Sequence, residues 1–341
     1  MKAMRTVGAG QLEIVEAPIP APGRGEVAVR MLAVGICASD VQIYHGKHKY
    51  VKFPIIQGHE GTGVVHAVGP GVSGLAPGDQ VCIQQQLACG KCRACRKGRH
   101  NVCENLRGLI GIHVSGLFSE YFLCPAWNAV KLPPSLTRDQ GMLAEPVSVG
   151  VNSAQTGAFR PGERALVIGA GIIGNLTAQA CKAMGAAAVL VADVAEEKLS
   201  IARDNGLDAV NSGISDLGVE TRRRFGDAPP DAIFDCAGAD ATLKQALALA
   251  PNASRVVIVA NFKAPVSLEI PSFQRREITI YTVMGTVRES TTAAIDFMAS
   301  GKILARDMVT VRFPLEKMAD AYRYIDENPT RVMRVAIDIG G

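Results

Sequence analysis

Short apolar runs separated by turns characterise the first part of the chain. Val, Ala and Gly dominate residues 26–34 and 60–68, and Gly/Pro turns at 22–23 and 77–79 interrupt the apolar segments. Runs of this length between turn residues are typical of short β-strands. The pattern therefore predicts a β-rich lobe at the start of the chain.

Beyond residue 160 the pattern changes to apolar runs of four to six residues that alternate with helix-length segments. Strands are predicted at 165–168, 188–192, 232–235 and 255–259, with helices that begin near Ile172, Ala195 and Ala241. Such alternation predicts a parallel sheet built from βαβ units. The fold class is therefore α/β, with a doubly wound sheet beside the β-rich lobe.

These changes of pattern divide the chain into three segments. The 341 residues exceed the usual size of a single core and suit two domains. We expect a first domain at 1–150 and a second at 151–285. Residues 286–341 lose the alternating pattern, and periodicity alone does not assign them to either domain.

Composition and charge exclude several classes of protein. Hydrophobic residues make up 48% of the chain and charged residues 20%, which is the balance of a folded globular protein. The net charge of +4 is small for this length and gives no strong case for a nucleic-acid or membrane partner. The first residues contain no signal-peptide h-region, and no apolar run reaches the ~18 residues of a membrane span. We therefore expect a cytoplasmic protein.

A glycine motif marks the start of the second domain. Gly169, Gly171 and Gly174 follow the first predicted strand there, and Ile172 and Ile173 open the next helix. In a dinucleotide-binding loop such glycines form a tight turn, allow close approach of pyrophosphate and let helix and strand pack closely. The helix N-terminus offers free N–H groups to the anion.

An acidic residue at the end of the second strand strengthens this interpretation. Asp193 lies 19 residues beyond Gly174, where a carboxylate accepts hydrogen bonds from the adenosine ribose. Its charge favours NAD over NADP, although Lys198 and Arg203 keep NADP open as a second possibility. Asp193 could alternatively cap the helix that begins near Ala195.

Four cysteines lie within fifteen positions of one another. Cys89, Cys92, Cys95 and Cys103 can close a tetrahedral shell around zinc without a long loop. Four sulfur ligands leave no open position for substrate, so we assign this zinc a structural role. The alternative is a set of free or redox-active thiols.

The same lobe is rich in cations, which could indicate a zinc ribbon that grips phosphates. Charge compensation beside a doubly negative four-thiolate zinc centre is the simpler explanation. The cations are Lys91, Arg93, Arg96, Lys97 and Arg99.

A second group of potential ligands is scattered along the chain. Cys37, His59, Glu60 and Glu145 together offer a sulfur, an imidazole and carboxylates. A mixed shell of this kind leaves a zinc position open for water or an alcohol. Taken singly, each residue also has an ordinary structural explanation as a core thiol, a buried histidine or a helix cap.

These motifs carry a resemblance to a known family. The segment 58–63, followed by Gly69 and Val72, resembles the zinc signature of the zinc-containing medium-chain dehydrogenases. Cys37, the four-cysteine lobe, Glu145 and the glycine motif occur in the family order. The resemblance implies a GroES-like catalytic domain completed by residues 286–341, a Rossmann domain, two zinc ions, NAD and a homo-oligomer, either a tetramer or a dimer.

The ligand set also resembles one branch of that family. The combination of Glu60 and Glu145 with Cys37 and His59 resembles the ligand set of sorbitol and threonine dehydrogenases. Classical alcohol dehydrogenases differ, because a cysteine takes the later ligand position there. Residues 111–121 resemble sugar-acid dehydrogenases of the galactonate and gulonate type. Either glutamate could exchange with water on the zinc during turnover.

The resemblance also implies roles for individual residues. Ser39 would take the proton of the alcohol, and Ile173, Asp193 and Lys198 would contact NAD. The nicotinamide side would be lined by Val259, Ala260, Asn261, Val283 and Met284.

One position departs from the family pattern. Gln42 stands where many relatives have a histidine three residues after the hydroxyl, and an amide cannot take up and release a proton as imidazole does. His45, His48 or water would then have to carry the proton outward.

The loop after Cys37 suggests the substrate. Lys47, Lys49 and Lys52 concentrate positive charge there, which favours an anionic polyol such as an aldonate, although a solvated lysine loop explains the charge equally well. We therefore expect a dehydrogenase of polyols or sugar acids. L-Threonine or a simple secondary alcohol is the alternative substrate, and a non-catalytic NAD-binding zinc protein is the alternative class.

Overall fold

The computed structural model describes residues 1–340, in which strands dominate the two ends of the chain and strand–helix alternation its middle. Strands β1 to β16 are Lys2–Gly8, Gln11–Glu16, Glu26–Ile36, Ile55–Ile56, Glu60–Val68, Gln80–Ile83, Tyr121–Pro125, Ala129–Lys131, Arg164–Ile168, Ala188–Asp193, Asp208–Asn211, Ala232–Asp235, Arg255–Ile258, Thr279–Thr282, Val309–Pro314 and Arg334–Asp338. Helices α1 to α10 are Ala38–Tyr44, Arg93–Arg96, Arg138–Thr156, Ile172–Ala183, Glu196–Asp204, Leu217–Phe225, Asp240–Leu249, Ile270–Gln274, Arg288–Ala299 and Met318–Glu327. Within this described part, no helix has both the length and the apolar character required to cross a membrane.

The chain forms two compact units. The first comprises Met1–Glu145 and the chain from Val309 onwards, and the second comprises Pro146–Met308. The first boundary falls inside α3, a continuous helix with no break in pattern at residue 150. The return to the first unit comes at residue 309 instead of 286.

The chain returns to the first unit later than the sequence pattern indicated, because the segment before residue 309 packs in the second unit. Helix α9 buries Ala294, Ile295 and Met298 along one face, at helical spacing that the sequence analysis did not identify. The segment beyond α9 is also tied to this unit, because the Gln179 side chain accepts a hydrogen bond of 2.9 Å from the Leu304 backbone N–H.

The first unit is organised around β3, the longest strand of its larger sheet. The sheet order is β15-β16-β3-β5-β6-β8, and β7 also pairs with β3. Val27, Val29 and Met31 lie on one face of β3 and are fully buried in the core, and Ala28 on the other face is buried as well. A smaller sheet has the order β2-β1-β4. Strand β16 pairs antiparallel with β3, which places this last strand inside the first unit.

The second unit contains a parallel sheet with the order β11-β10-β9-β12-β13-β14. Numbered within the unit this is 3-2-1-4-5-6, the order of a Rossmann fold. The α/β fold class and the four predicted strands of this unit are confirmed. Strands β11 and β14 were not predicted, because Asp208–Asn211 has polar ends and Thr279–Thr282 has exposed threonines.

Candidate active site and metal centres

Three neighbouring strands of the first unit bring distant residues together at one edge of the sheet. Cys37 follows the end of β3, Glu60 begins β5, and Arg334 begins β16. Gly35 pairs with Glu60 on one side and with Ala336 on the other. A Cβ atom at Gly35 would lie 2.9 Å from Glu60 Oε2 and 3.0 Å from Arg334 Cδ. A larger residue at this position would therefore displace the Glu60 and Arg334 side chains from their observed positions.

The donor atoms of Cys37, His59 and Glu60 lie within 4.8 Å of one another. His59 and Glu60 are buried, and within residues 1–340 His59 Nδ1 has no hydrogen-bond partner. A sulfur, an imidazole nitrogen and a carboxylate oxygen at this separation form a donor set that zinc accepts. The residues present therefore fit the metal that the sequence analysis assigned to them.

Glu145, on α3, does not belong to this close group. Burial raises the pKa of its carboxyl, whereas His59 and then Arg334 act to lower it. The Glu145 carboxyl is therefore influenced by the charges of this site without belonging to the close donor group.

Asp40 fixes the geometry of two donors. Its Oδ2 accepts a hydrogen bond of 2.9 Å from the Cys37 backbone N–H, and its Oδ1 accepts one of 3.1 Å from Gly58. Oδ2 also lies 4.0 Å from His59 Nδ1. Burial raises the pKa of Asp40, although the charge of His59 opposes this shift. The sequence analysis missed this residue, whose position three residues after a helix N-cap was the available indication.

Arg334 forms a buried ion pair with Glu60. Arg334 Nε lies 2.8 Å from Glu60 Oε2, and both side chains are at most 5% exposed. A further Arg334 nitrogen donates a hydrogen bond of 2.7 Å to the Ile36 carbonyl. Burial raises the pKa of Glu60 well above its ordinary value, and the arginine counteracts that shift. Arg334 was also missed, although an arginine within an apolar strand is unusual enough to indicate a buried partner.

The four cysteines of the lobe also come together, with sulfur atoms within 4.8 Å of one another. The Cys92 and Cys103 sulfurs are 3.9 Å apart, well beyond a disulfide bond. Backbone N–H groups of Lys91 and Cys92 lower the pKa of Cys89 to about 6, whereas burial raises that of Cys95 to about 12. All four become thiolates together only with a cation between them, which fits a structural zinc.

The glycine motif follows β9 in the second unit. Gly169 has a φ of +103°, and a Cβ at Gly174 would lie 1.7 Å from the Gly169 carbonyl oxygen. A Cβ at Gly171, the N-cap of α4, would meet no atom within 4 Å. The first and third glycines are thus needed for the turn and for packing. The second leaves the N-terminus of α4, where Ile172 and Ile173 begin the helix, open to an anion.

Comparison with known proteins identifies the family. Residues 23–134 match the model of the alcohol dehydrogenase GroES-like domain, and residues 173–300 match that of zinc-binding dehydrogenases. Sorbitol dehydrogenase from Homo sapiens is 33% identical over 92% of this chain and 90% of its own length. The chain belongs to the zinc-containing medium-chain dehydrogenases.

Two further comparisons describe relatives of this dehydrogenase. L-Galactonate-5-dehydrogenase from Escherichia coli strain K12 is 30% identical over 89% of each chain. The crystal structure of an alcohol dehydrogenase from E. coli CFT073, complexed with NADH, is 31% identical, has a TM-score of 0.92 and covers 99% of each chain.

In this dehydrogenase Asp193 connects the glycine motif with the next helix. Its Oδ2 accepts a hydrogen bond of 2.6 Å from Ala170, and its Oδ1 accepts bonds of 2.7 and 2.9 Å from Val194 and Ala195. The carboxylate therefore orders the turn before α5 but does not cap that helix, whose N-cap is Ala195 without a side-chain cap bond. Arg203 was one of the two cations considered for NADP. Its Nη1 lies 2.6 Å from Glu196 Oε1, so its guanidinium already has an acidic partner.

The residues assigned to the nicotinamide side follow two adjacent parallel strands of the second unit. Val259, Ala260 and Asn261 come after β13, whereas Val283 and Met284 come after β14. The carboxyl ends of parallel strands meet at one edge, and the glycine motif follows β9 at that same edge. Lys198 lies on α5 and is partly exposed.

The histidines considered for proton transfer differ in their surroundings. His45 Nε2 lies 3.0 Å from Asp326, so this ring already has an acidic partner. His48 Nδ1 is buried and has no hydrogen-bond partner within residues 1–340. Burial, and then the charge of His113, lower the pKa of His48. Of the two, His48 is the ring whose nitrogen is not already engaged by an acidic partner.

The structural zinc assignment makes a direct prediction. Replacing Cys103 with serine should reduce the zinc content from about two to about one per chain and lower the thermal unfolding midpoint, because three thiolates hold structural zinc poorly. Metal analysis and thermal unfolding measure both effects. Replacement of Cys124, a buried cysteine on β7, with serine should leave the zinc content unchanged. Retention of two zinc ions after loss of Cys103 would contradict the assignment.

Proposed function

We propose that this dehydrogenase oxidises a secondary hydroxyl of a sugar acid to a ketone, with zinc held by Cys37, His59 and Glu60 and with NAD as acceptor. The mixed sulfur, nitrogen and oxygen donor set is the observation that carries the proposal. Three protein ligands leave a coordination position for the substrate hydroxyl, which a four-cysteine centre does not offer. When bound, zinc supplies a Lewis acid for the hydroxyl and NAD supplies the hydride acceptor.

The chain's own residues then handle the proton. Ser39 lies in the first turn of α1, two residues after Cys37, and its Oγ is buried without a hydrogen-bond partner within residues 1–340. A hydroxyl with both of its hydrogen-bonding functions available can accept the substrate proton and donate its own onward. Gln42 does not continue this path, whereas the ring of His48 offers an acceptor.

Support for an anionic substrate comes from the loop that follows α1. Lys47, Lys49 and Lys52 are exposed in the same unit as the donor set, and His48 lies among them. Clustered cations beside a site raise the local concentration of an anionic substrate. The similarity to an L-galactonate dehydrogenase agrees with this preference. Asp193 supports NAD rather than NADP, because its carboxylate would repel a 2′-phosphate.

The test compares substrates and a charge-matched pair of variants. We expect a higher kcat/KM for aldonates such as galactonate and gulonate than for sorbitol or L-threonine. Changing Lys47 and Lys49 to glutamine should lower kcat/KM for the aldonate by roughly tenfold and leave that for sorbitol unchanged. The same change at Lys263 and Lys317, which are exposed outside the loop, serves as the control.

NADH formation by purified, zinc-loaded protein is the measurement. Equal efficiency on aldonates and neutral polyols would reject the sugar-acid proposal. Preference for L-threonine would replace it with an amino-alcohol substrate.

A further inference from the structure

A fully buried glutamine next to the candidate metal donors joins three separate segments of the first unit. Gln57 Oε1 accepts hydrogen bonds of 2.7 Å from the Thr6 hydroxyl and 3.0 Å from the Tyr322 hydroxyl. Its Nε2 donates a bond of 2.9 Å to the backbone carbonyl of Asp40. Thr6 lies on β1, Asp40 on α1 and Tyr322 on α10, and all four residues are at most 1% exposed.

The chemistry of these partners permits one orientation of the Gln57 amide. The Asp40 carbonyl can only accept, so the amide nitrogen must face it. The amide oxygen then faces both hydroxyls, and it has lone pairs for both. Three hydrogen bonds to three separate segments in a buried site hold the side chain in a single position.

The backbone of Gln57 is fixed independently of its side chain. The Gln57 carbonyl accepts a hydrogen bond of 3.1 Å from Phe118, and the Gly58 carbonyl accepts one of 3.0 Å from Leu117. The side chain is therefore not needed to hold its own segment. Its contacts act on the segments that it reaches, above all on α1.

Helix α1 carries the residues on which the metal donors depend. Asp40 accepts from the Cys37 and Gly58 backbone N–H groups and faces His59, as described above. At the other end of α1, the Tyr44 ring stacks on the Tyr322 ring with centroids 4.1 Å apart and an interplanar angle of 2°. Gln57 and Tyr322 thus hold α1 at two points.

We propose that Gln57 is a positioning residue, which fixes Asp40 and thereby holds Cys37 and His59 at the separation that a metal ion requires. The inference rests on the proposed role of these two residues as zinc ligands. It does not depend on the identity of the substrate.

The test uses variants that separate positioning from packing. Gln57→Leu removes all three hydrogen bonds at similar volume. The triple variant Thr6→Val, Gln57→Leu, Tyr322→Phe also removes the hydroxyls that the single change leaves unpaired, which should restore stability. Gln85→Leu is the matched control, because Gln85 is a buried glutamine that donates to the Ile110 carbonyl instead.

Three properties are measured without substrate. They are zinc release to EDTA, thermal unfolding and the visible spectrum of the cobalt-substituted protein. We expect Gln57→Leu to weaken zinc binding at the catalytic donor set by about 10- to 100-fold and to change the cobalt spectrum. The four-cysteine zinc should be unaffected. The triple variant should unfold near the parent midpoint and still bind zinc weakly, whereas Gln85→Leu should keep parental zinc affinity.

Two results would overturn the inference. One is parental zinc affinity and an unchanged cobalt spectrum in Gln57→Leu. The other is recovery of zinc affinity together with stability in the triple variant, which would assign Gln57 to packing alone. If Gln57→Leu does not accumulate as folded protein, the triple variant decides. Inactivity of the parent on sugar acids would count against the proposed substrate and leave these metal measurements intact.

Discussion

Replacing Ser39 with alanine should lower kcat/KM by about 10²- to 10⁴-fold, the contribution that a positioned proton-transfer group typically makes. The hydroxyl lies in the first turn of α1, two residues from Cys37, and its oxygen is buried. Without it, the proton of the substrate hydroxyl loses its hydroxyl acceptor, Gln42 does not titrate, and the Asp40 carboxylate is already occupied by the Cys37 and Gly58 backbone N–H groups. Steady-state NADH formation measures the loss.

Ser39→Thr is the control, since it retains the hydroxyl at the same carbon. It should keep most of the parental activity. Zinc content and NADH binding should be unchanged in both variants, which would show that the alanine variant loses proton transfer rather than its metal or cofactor. A loss below about threefold in Ser39→Ala would remove Ser39 from the proton path.

Replacing Arg334 with methionine should cost about 3–5 kcal/mol of unfolding free energy, because it leaves the Glu60 carboxyl buried without its cation. The two side chains are 2.8 Å apart and almost completely inaccessible to water. Denaturant unfolding measures the change, on protein freed of metal at the Cys37, His59 and Glu60 donor set, because zinc bound there would itself compensate the Glu60 charge. The added variant Glu60→Gln removes the second charge, so the double variant should recover much of the lost stability.

Arg312→Met is a suitable comparison for the buried pair. Arg312 pairs with Asp139 and Asp338, but it retains 28% exposure of its side chain. Loss of such partly solvated pairs should cost about 1 kcal/mol or less. Equal effects at Arg312 and Arg334 would show that burial does not distinguish the two pairs.

The parts of the molecule that the sequence predicted well depend on short spacing. Cys89 and Cys103 lie close enough along the chain that their pattern alone predicts a shared ion. The glycine motif likewise lies in one turn between a strand and a helix. The compact units divide at residue 309, whereas the sequence pattern indicated 286, because the buried face of α9 is helical in spacing but is interrupted by polar residues such as Thr292 and Asp296.

The sequence by itself determined the α/β class, the four parallel strands that it predicted, the cysteine cluster and the glycine turn, because each depends on residues within one or two elements. It also named Cys37, His59, Glu60 and Glu145 as a possible mixed zinc shell, a choice that the family resemblance then supported. Tertiary structure alone decided that Glu145 lies outside the close donor group and that Arg334 and Gln57 lie at its edge. Sheet pairing of β3 with β5 and β16 joins positions almost 300 residues apart, and no local pattern encodes that register.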